Sequence, residues 1–524
     1  MRKTRREFVK GTVALGLVTP FVGCSSDNLT DEPLGPEDLF QHGVASGDPL
    51  PDAVILWTRI TPDMDPMEDI KVSYEVSLNS SFDELVTMGS ASTNSDRDYT
   101  VKVDVDGLEA ATTYYYRFIA QGRTSIVGRT RTAPEGMVER LRFGVMSCSN
   151  YAFGYFHGYR DAAKRADLDA IIHLGDYIYE YGEGEYGAGY QEYRKLQPPS
   201  EIITLEDYRT RYSYYRLDPD LQAIHQQFPF ITVWDDHEFA NDAYIGGAEN
   251  HMPDTEGKFS DRKKAAMQAY REWMPIRGLD ETGRIYRRLK FGDLMDLTML
   301  DTRMWARSKQ TSDPQEQMDP NRELLGMDQL AWLETQLKDD AAKWRIIGQQ
   351  VVFTQLLVGG TVINSDQWDG YVAARERVYD IFESTQIQNL VMLTGDIHAS
   401  GAADLVRDPS MYDPETAQGA VGVELVAPGI TSPFLTGGDA IIGVALSENP
   451  PLRWADGSNR GYFILDVTAD RVQADWHLYP KPELKDAKVT FAKAFSVEAD
   501  AQHLTEESKQ TTPPKNSPKL APKG

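Results

Sequence analysis

Four short polar clusters in this sequence each stand where an apolar run stops. Ser147-Cys148-Ser149-Asn150 follows residues 141–146, and Gly175-Asp176-Tyr177-Ile178-Tyr179 follows residues 171–174. Trp234-Asp235-Asp236-His237-Glu238 follows residues 230–233 with Asn241 close behind, and Gly395-Asp396-Ile397-His398 follows residues 390–393. A lone aspartate after a strand is often a helix cap. Four such clusters at successive strand ends meet along one edge of a sheet, where α/β proteins build their sites. Oxygen donors dominate the set, which favours hard cations. Cys148 and Tyr179 differ: as thiolate and phenolate they suit a strongly Lewis-acidic ion such as ferric iron, whose charge lowers both pKa values on coordination. Each also has a plainer reading, Cys148 as a buried core thiol and Tyr179 as an aromatic packed against a strand.

The elements that must position these residues are legible in outline. At 524 residues with 41% hydrophobic and 26% charged content, the chain supports several packed domains and is neither disordered nor fibrous. A net charge of −26 repels nucleic acid. Two cysteines, Cys24 and Cys148, exclude a disulfide scaffold. Residues 38–135 alternate with the period of half-buried strands at 72–78 and 101–105, and predict an all-β sandwich. Leu108 followed by Thr113-Tyr114-Tyr115-Tyr116 resembles the leucine-then-tyrosine turn of immunoglobulin and fibronectin III sandwiches. Residues 136–505 alternate strands with helical patterns at 155–166, 262–273, 328–338 and 372–383, an α/β arrangement, with antiparallel pieces near 286–300 and 462–477. Residues 346–363 are apolar but carry Gln349, Gln350, Gln355 and Gly359-Gly360, which argues for a core strand and a turn rather than a membrane span.

The ends carry different signals. Arg5-Arg6-Glu7-Phe8 and the apolar run 11–22 resemble a twin-arginine export leader over residues 1–23, too short to cross a bilayer. Val22-Gly23-Cys24 resembles a lipoprotein acylation site, so Cys24 is expected to anchor the chain to a membrane through a lipid. The expected location is periplasmic or cell-surface. Residues 24–37 read as a tether and residues 506–524, rich in Lys, Pro, Ser and Thr, as a disordered tail.

Gly-Asp-x-x-Tyr, met here as Gly175 to Tyr179, resembles the iron-binding signature of purple acid phosphatases. The fuller set is similar to the PhoD-like alkaline phosphatase and phosphodiesterase family: the four clusters above, Leu300-Asp301-Thr302-Arg303 and Trp368-Asp369-Gly370-Tyr371. That resemblance implies an αββα metallophosphoesterase-like core, Fe3+ with two Ca2+, and hydrolysis of phosphate mono- or diesters without a phosphoenzyme. By position, iron takes Cys148, Asp176, Tyr179 and His398. A second metal takes Asp176 as a bridge with Asp236 and Asp396, and Asn241, Asn150 and Asp235 serve the remaining calcium. His237 would assist the leaving group or the phosphoryl oxygens. Arg209, Arg303 and Arg375 are candidates to clamp phosphate or, equally, to form structural ion pairs. Phospholipase D-like diester cleavage and a non-catalytic surface binding protein are the competing readings. The protein is expected to be a monomer.

Overall fold

The computed structural model describes residues 39–63, 66, 68–186, 192–279, 282–339, 341–435 and 437–523. The expected leader, Cys24 and the tether lie outside the described residues.

Two sheets face one another. The larger has ten strands, in the order Thr505–Glu507, Thr490–Glu498, Arg471–Tyr479, Arg460–Thr468, Arg140–Met146, Ala170–His173, Pro229–Thr232, Val44–Gly47, Val54–Arg59 and Thr100–Val105. Its centre, from Arg140–Met146 to Val44–Gly47, is parallel. The second sheet has seven strands: Arg287–Phe291, Met295–Met299, Trp344–Gly348, Leu390–Thr394, Ala420–Val426, Ser400–Val406 and Leu452–Asp456.

Alternation along single strands shows how the layers stack. Ile346, Val391 and Leu393 join the core that also holds Phe143, Val145, Ile171 and Ile172 of the large sheet. Their neighbours Ile347, Leu390 and Met392 point the other way, into a core with Leu333 of helix Gly326–Leu337 and Val378 and Phe382 of helix Val372–Ser384. Helices Leu205–Arg216, Pro219–Gln227 and Phe259–Trp273 bury Tyr212, Ile224 and Trp273 with the large sheet. A strand buried on both faces reads as a continuous apolar run, which is why these central strands were visible in the sequence. The result is the expected αββα core.

The N-terminal sandwich also forms. A five-stranded sheet built on Ile70–Ser77 and Thr113–Ala120 packs Val72, Val76, Tyr116 and Phe118 against Val54, Leu56, Val101 and Val105. The Tyr114 hydroxyl accepts a hydrogen bond from the Glu109 amide at 2.8 Å, closing the leucine-then-tyrosine turn after Leu108. Its second sheet is not separate, however. Strands Val44–Gly47, Val54–Arg59 and Thr100–Val105 continue the ten-stranded sheet of the core.

Residues 506–524 were expected to form a disordered tail, and the described part, 506–523, departs from that. Glu506 and Glu507 complete the edge strand Thr505–Glu507. The chain then returns across the molecule to the sandwich. The Tyr115 hydroxyl donates to the Lys519 carbonyl at 2.7 Å, the Ala521 amide donates to Gln227 Oε1 at 2.8 Å, and Ala521 is buried against Phe82 and Tyr115. Lysine and proline composition resembles that of linkers, but extended chain held by side-chain hydrogen bonds needs no apolar periodicity of its own.

Candidate metal centre

Three of the four site strand ends pass through left-handed backbone. Cys148, Asp176, Asp396 and His398 all have positive φ, at 59°, 55°, 61° and 61°. Left-handed backbone at a residue with a side chain costs roughly 1–3 kcal/mol and clusters where function requires it. Gly175 shows the crowding: a Cβ there would stand 2.4 Å from Asp235 Cβ, so only glycine lets the second strand end pass the third. Glu238 ties these ends together, its carboxylate accepting from the amides of Asp235 at 2.7 Å, Tyr177 at 2.6 Å and Asp176 at 3.1 Å. Burial pushes the Glu238 carboxyl up to about 7 against those three donors.

Four donors from three chain segments converge. The Tyr179 hydroxyl donates to Asp176 Oδ2 at 3.0 Å and lies 3.1 Å from His398 Nε2, while Ser432 Oγ donates to it at 2.6 Å. The sulfur of Cys148 groups with ligand atoms of Asp176 and His398, all within 4.8 Å of one another. His398 Nδ1 donates to the Pro433 carbonyl at 3.0 Å, which leaves Nε2 as the lone-pair face turned to the group. Burial, and next to it the Asp176 carboxylate, push both the Cys148 thiol and the Tyr179 phenol well above their ordinary pKa. Both ionise only opposite a strong positive charge.

Carboxylates continue the cluster. Asp176 also groups with Asp236 and His237; Asp235, Asp236 and Asp396 form a further set, and Asp236, Asp242 and Asp366 another. Arg303 is fully buried among them, pairing with Asp235, with Asp366 at 2.7 Å and with Asp396 at 2.9 Å. Arg307 adds a 2.6 Å pair to Asp366. Asp235 is fully buried, and its Oδ2 has no hydrogen-bond partner among the described residues. An orphaned buried carboxylate oxygen beside further acids costs several kcal/mol unless a cation meets it. The donor set therefore fits bound metal: sulfur, phenolate and imidazole at one end, carboxylate oxygens at the other.

His237 lies at the junction. Its Nδ1 is 2.7 Å from Glu180 Oε2, and its ring stacks on Tyr179 at 4.2 Å between centroids. Glu180 is fully buried, and its other oxygen accepts from the Asn241 amide at 2.7 Å and from Asn250 Nδ2 at 3.0 Å. Asn241 thus sits beside the site, its side-chain amide reaching Glu249.

Three expected residues take other roles. Asn150 Oδ1 accepts from the Ala152 amide at 3.0 Å and caps the turn Tyr151–Phe153, so its oxygen is committed to the backbone. Arg209 binds Glu272 at 2.6 Å and the Asp96 carbonyl at 2.6 Å, joining helix Leu205–Arg216 to helix Phe259–Trp273 and the sandwich. Arg375 binds Asp369 at 2.6 Å. Both are structural ion pairs, not phosphate clamps. Arg303 is in the site, but its guanidinium is engaged by carboxylates rather than offered to phosphate. Asp242 and Asp366 were missed by sequence reasoning. Asp242 follows Asn241 in the same turn and was within reach of it, whereas Asp366 belongs to a loop with no strand-end signal.

Comparison with known proteins shows the family. The family model described as PhoD-like phosphatase matches residues 143–476, and that of the PhoD-like phosphatase N-terminal domain matches residues 26–134. Alkaline phosphatase D of Bacillus subtilis (strain 168) is 36% identical over 97% of this chain and 90% of its own length. A solved structure titled "Structure of PhoD" superposes with a TM-score of 0.82 at 36% identity, covering 90% of this chain and 92% of that one. The chain belongs to the PhoD-like phosphatase family and is a phosphoric ester hydrolase.

Proposed function

We propose that this is an exported, metal-dependent alkaline phosphatase/phosphodiesterase that works by direct attack of water on phosphorus. The observation that carries the metal dependence is the convergence of Cys148, Asp176, Tyr179 and His398 around one point. These four would hold Fe3+, and Asp176, Asp235, Asp236, Asp396, Asp242 and Asp366 would hold Ca2+, with Asp176 shared. When bound, such cations supply positive charge that neutralises phosphoryl oxygens and acidifies the attacking water.

The chain's own residues do the rest. Nδ1–H of His237 donates to Glu180, and the carboxylates of Asp176, Asp236 and Glu180 raise the His237 pKa against burial, so the ring is an imidazolium whose Nε2–H would donate to a phosphoryl or leaving oxygen. Arg303 locks Asp235, Asp366 and Asp396 in place before substrate arrives, so they need not reorganise during reaction. Export rests on the twin-arginine pattern around Arg5-Arg6, and lipid attachment on Cys24.

Metal analysis with visible absorbance tests this reading. Native protein is expected to contain iron and calcium and to show a tyrosinate- or thiolate-to-iron band that Tyr179→Phe or Cys148→Ser weakens. Metal-stripped protein hydrolysing esters at the native rate would overturn it. Nitrophenyl phosphate, bis(nitrophenyl) phosphate and phosphatidylcholine assayed together separate monoesterase, diesterase and lipase-like preference.

A further inference from the structure

Residues 430–433, which follow strand Ala420–Val426, touch three of the four donors proposed to hold Fe3+. The Pro433 carbonyl accepts from His398 Nδ1 at 3.0 Å. The Cys148 carbonyl accepts from the amides of Thr431 and Ser432, both at 3.3 Å. Ser432 Oγ lies 2.6 Å from the Tyr179 hydroxyl oxygen. The segment is itself tied down: the Ile430 amide donates to the Ser147 carbonyl at 2.9 Å, and Thr431 Oγ1 donates to the Asn150 carbonyl at 2.6 Å. Thr431 and Ser432 are both buried.

Ser432 has one hydroxyl hydrogen and two acceptors within reach, the Tyr179 oxygen at 2.6 Å and the Cys148 carbonyl at 2.8 Å. The Asn150 amide donates to Oγ at 3.3 Å and so engages its lone pairs, not its hydrogen. The Cys148 carbonyl already has two amide donors. The phenol oxygen's other neighbours are Asp176 Oδ2 at 3.0 Å and His398 Nε2 at 3.1 Å. Once Tyr179 ionises, neither can donate to it: a carboxylate has no hydrogen, and neutral His398 carries its own on Nδ1 toward Pro433. Ser432 is then the one hydrogen-bond donor to the phenolate among the described residues.

We infer that Ser432 is a positioning residue for the iron site, whose hydroxyl donates to the Tyr179 phenolate and so sets how strongly that oxygen gives electron density to the metal. This rests on the Fe3+ reading above and names the residue that tunes it. A hydrogen bond to an ionised oxygen is about twice as strong as one between neutral groups. It holds the phenolate lone pairs at lower energy. Without it, light of lower energy moves an electron from phenolate to iron, and the absorbance band falls at longer wavelength. Hydrogen bonds to ligand atoms are a general means of tuning a bound metal.

The test records visible absorbance and iron affinity for native protein, Ser432→Ala and Ser432→Thr, all loaded with iron and calcium. In Ser432→Ala the band is expected to persist but to move to longer wavelength, and the apparent iron affinity in competition with a chelator to fall about 10-fold. Ser432→Thr keeps the hydroxyl and is expected to keep the native maximum, which a role in packing alone would not predict. A Ser432→Ala maximum equal to the native one overturns the role, and so does a maximum displaced equally in both variants. Should Ser432→Ala fail to fold, Ser432→Gly removes the same hydroxyl and carries the comparison. Native protein with no visible band overturns the iron reading and the role of Ser432 with it, whereas a native band that stays in place in Ser432→Ala overturns the role alone.

Discussion

At the scale of single residues, Asp176 carries the most. It belongs to the sulfur-containing group and to the group with Asp236 and His237, so its loss removes a donor from both. Asp176→Ala is expected to lower metal content and kcat/KM together, the latter about 100-fold or more, which is about 2.7 kcal/mol of transition-state stabilisation. Elemental analysis alongside kinetics checks it; activity that survives loss of the metal would contradict it. Glu180 makes a different prediction. Among the described residues its carboxylate hydrogen-bonds His237, the Asn241 amide and Asn250 Nδ2, and it belongs to none of the candidate metal groups. Glu180→Gln should therefore keep the metals and lose about 10- to 100-fold in kcat, as is usual for groups that orient catalytic side chains. A matching loss of iron would show that Glu180 supports the metal fold instead.

At the scale of elements, the strand ends and the pairs that brace helices separate cleanly. Arg375 and Asp369 are both nearly buried and meet at 2.6 Å between helix Val372–Ser384 and the preceding turn. Arg375→Met strands the Asp369 carboxylate, and is expected to destabilise folding by about 3–5 kcal/mol. Urea denaturation measures the loss, and KM for substrate should stay at its native value. A raised KM with undiminished stability would restore Arg375 as a phosphate contact. Sequence pattern found this helix within a residue or two, because apolar side chains at helical spacing must face the sheet. It misjudged the arginine, because whether a guanidinium meets phosphate or carboxylate depends on which acid the fold brings beside it.

For the whole molecule, the shared ten-stranded sheet and the returning tail bind sandwich and core into one unit. Truncation after residue 512 removes the partners of Tyr115 and Gln227 and is expected to cost about 1–3 kcal/mol. A lower melting temperature with native kinetics would bear this out, and an unchanged melting temperature would refute it. Metal removal should act on the same scale. A ligand held at about 1,000 times its Kd stabilises the folded state by about 4 kcal/mol. Chelation is therefore expected to lower the melting temperature and to restore it on reloading; a melting temperature indifferent to chelator would argue against a tightly held metal.

Sequence alone determined the parts whose signal is local. Apolar runs ended by polar clusters revealed the strands and singled out Cys148, Asp176, Tyr179, Asp236, Asp396 and His398 as candidate donors, because a strand that must be buried on both faces writes that demand into consecutive residues. Tertiary structure decided everything that depends on partners distant along the chain. It brought Asp366 to Arg303, turned Asn150 into a cap, took Arg209 and Arg375 to carboxylates, and gave the C-terminal segment a seat on Gln227. A charged or amide side chain has no fixed partner until the fold supplies one, so its residue type is legible beforehand and its role is not.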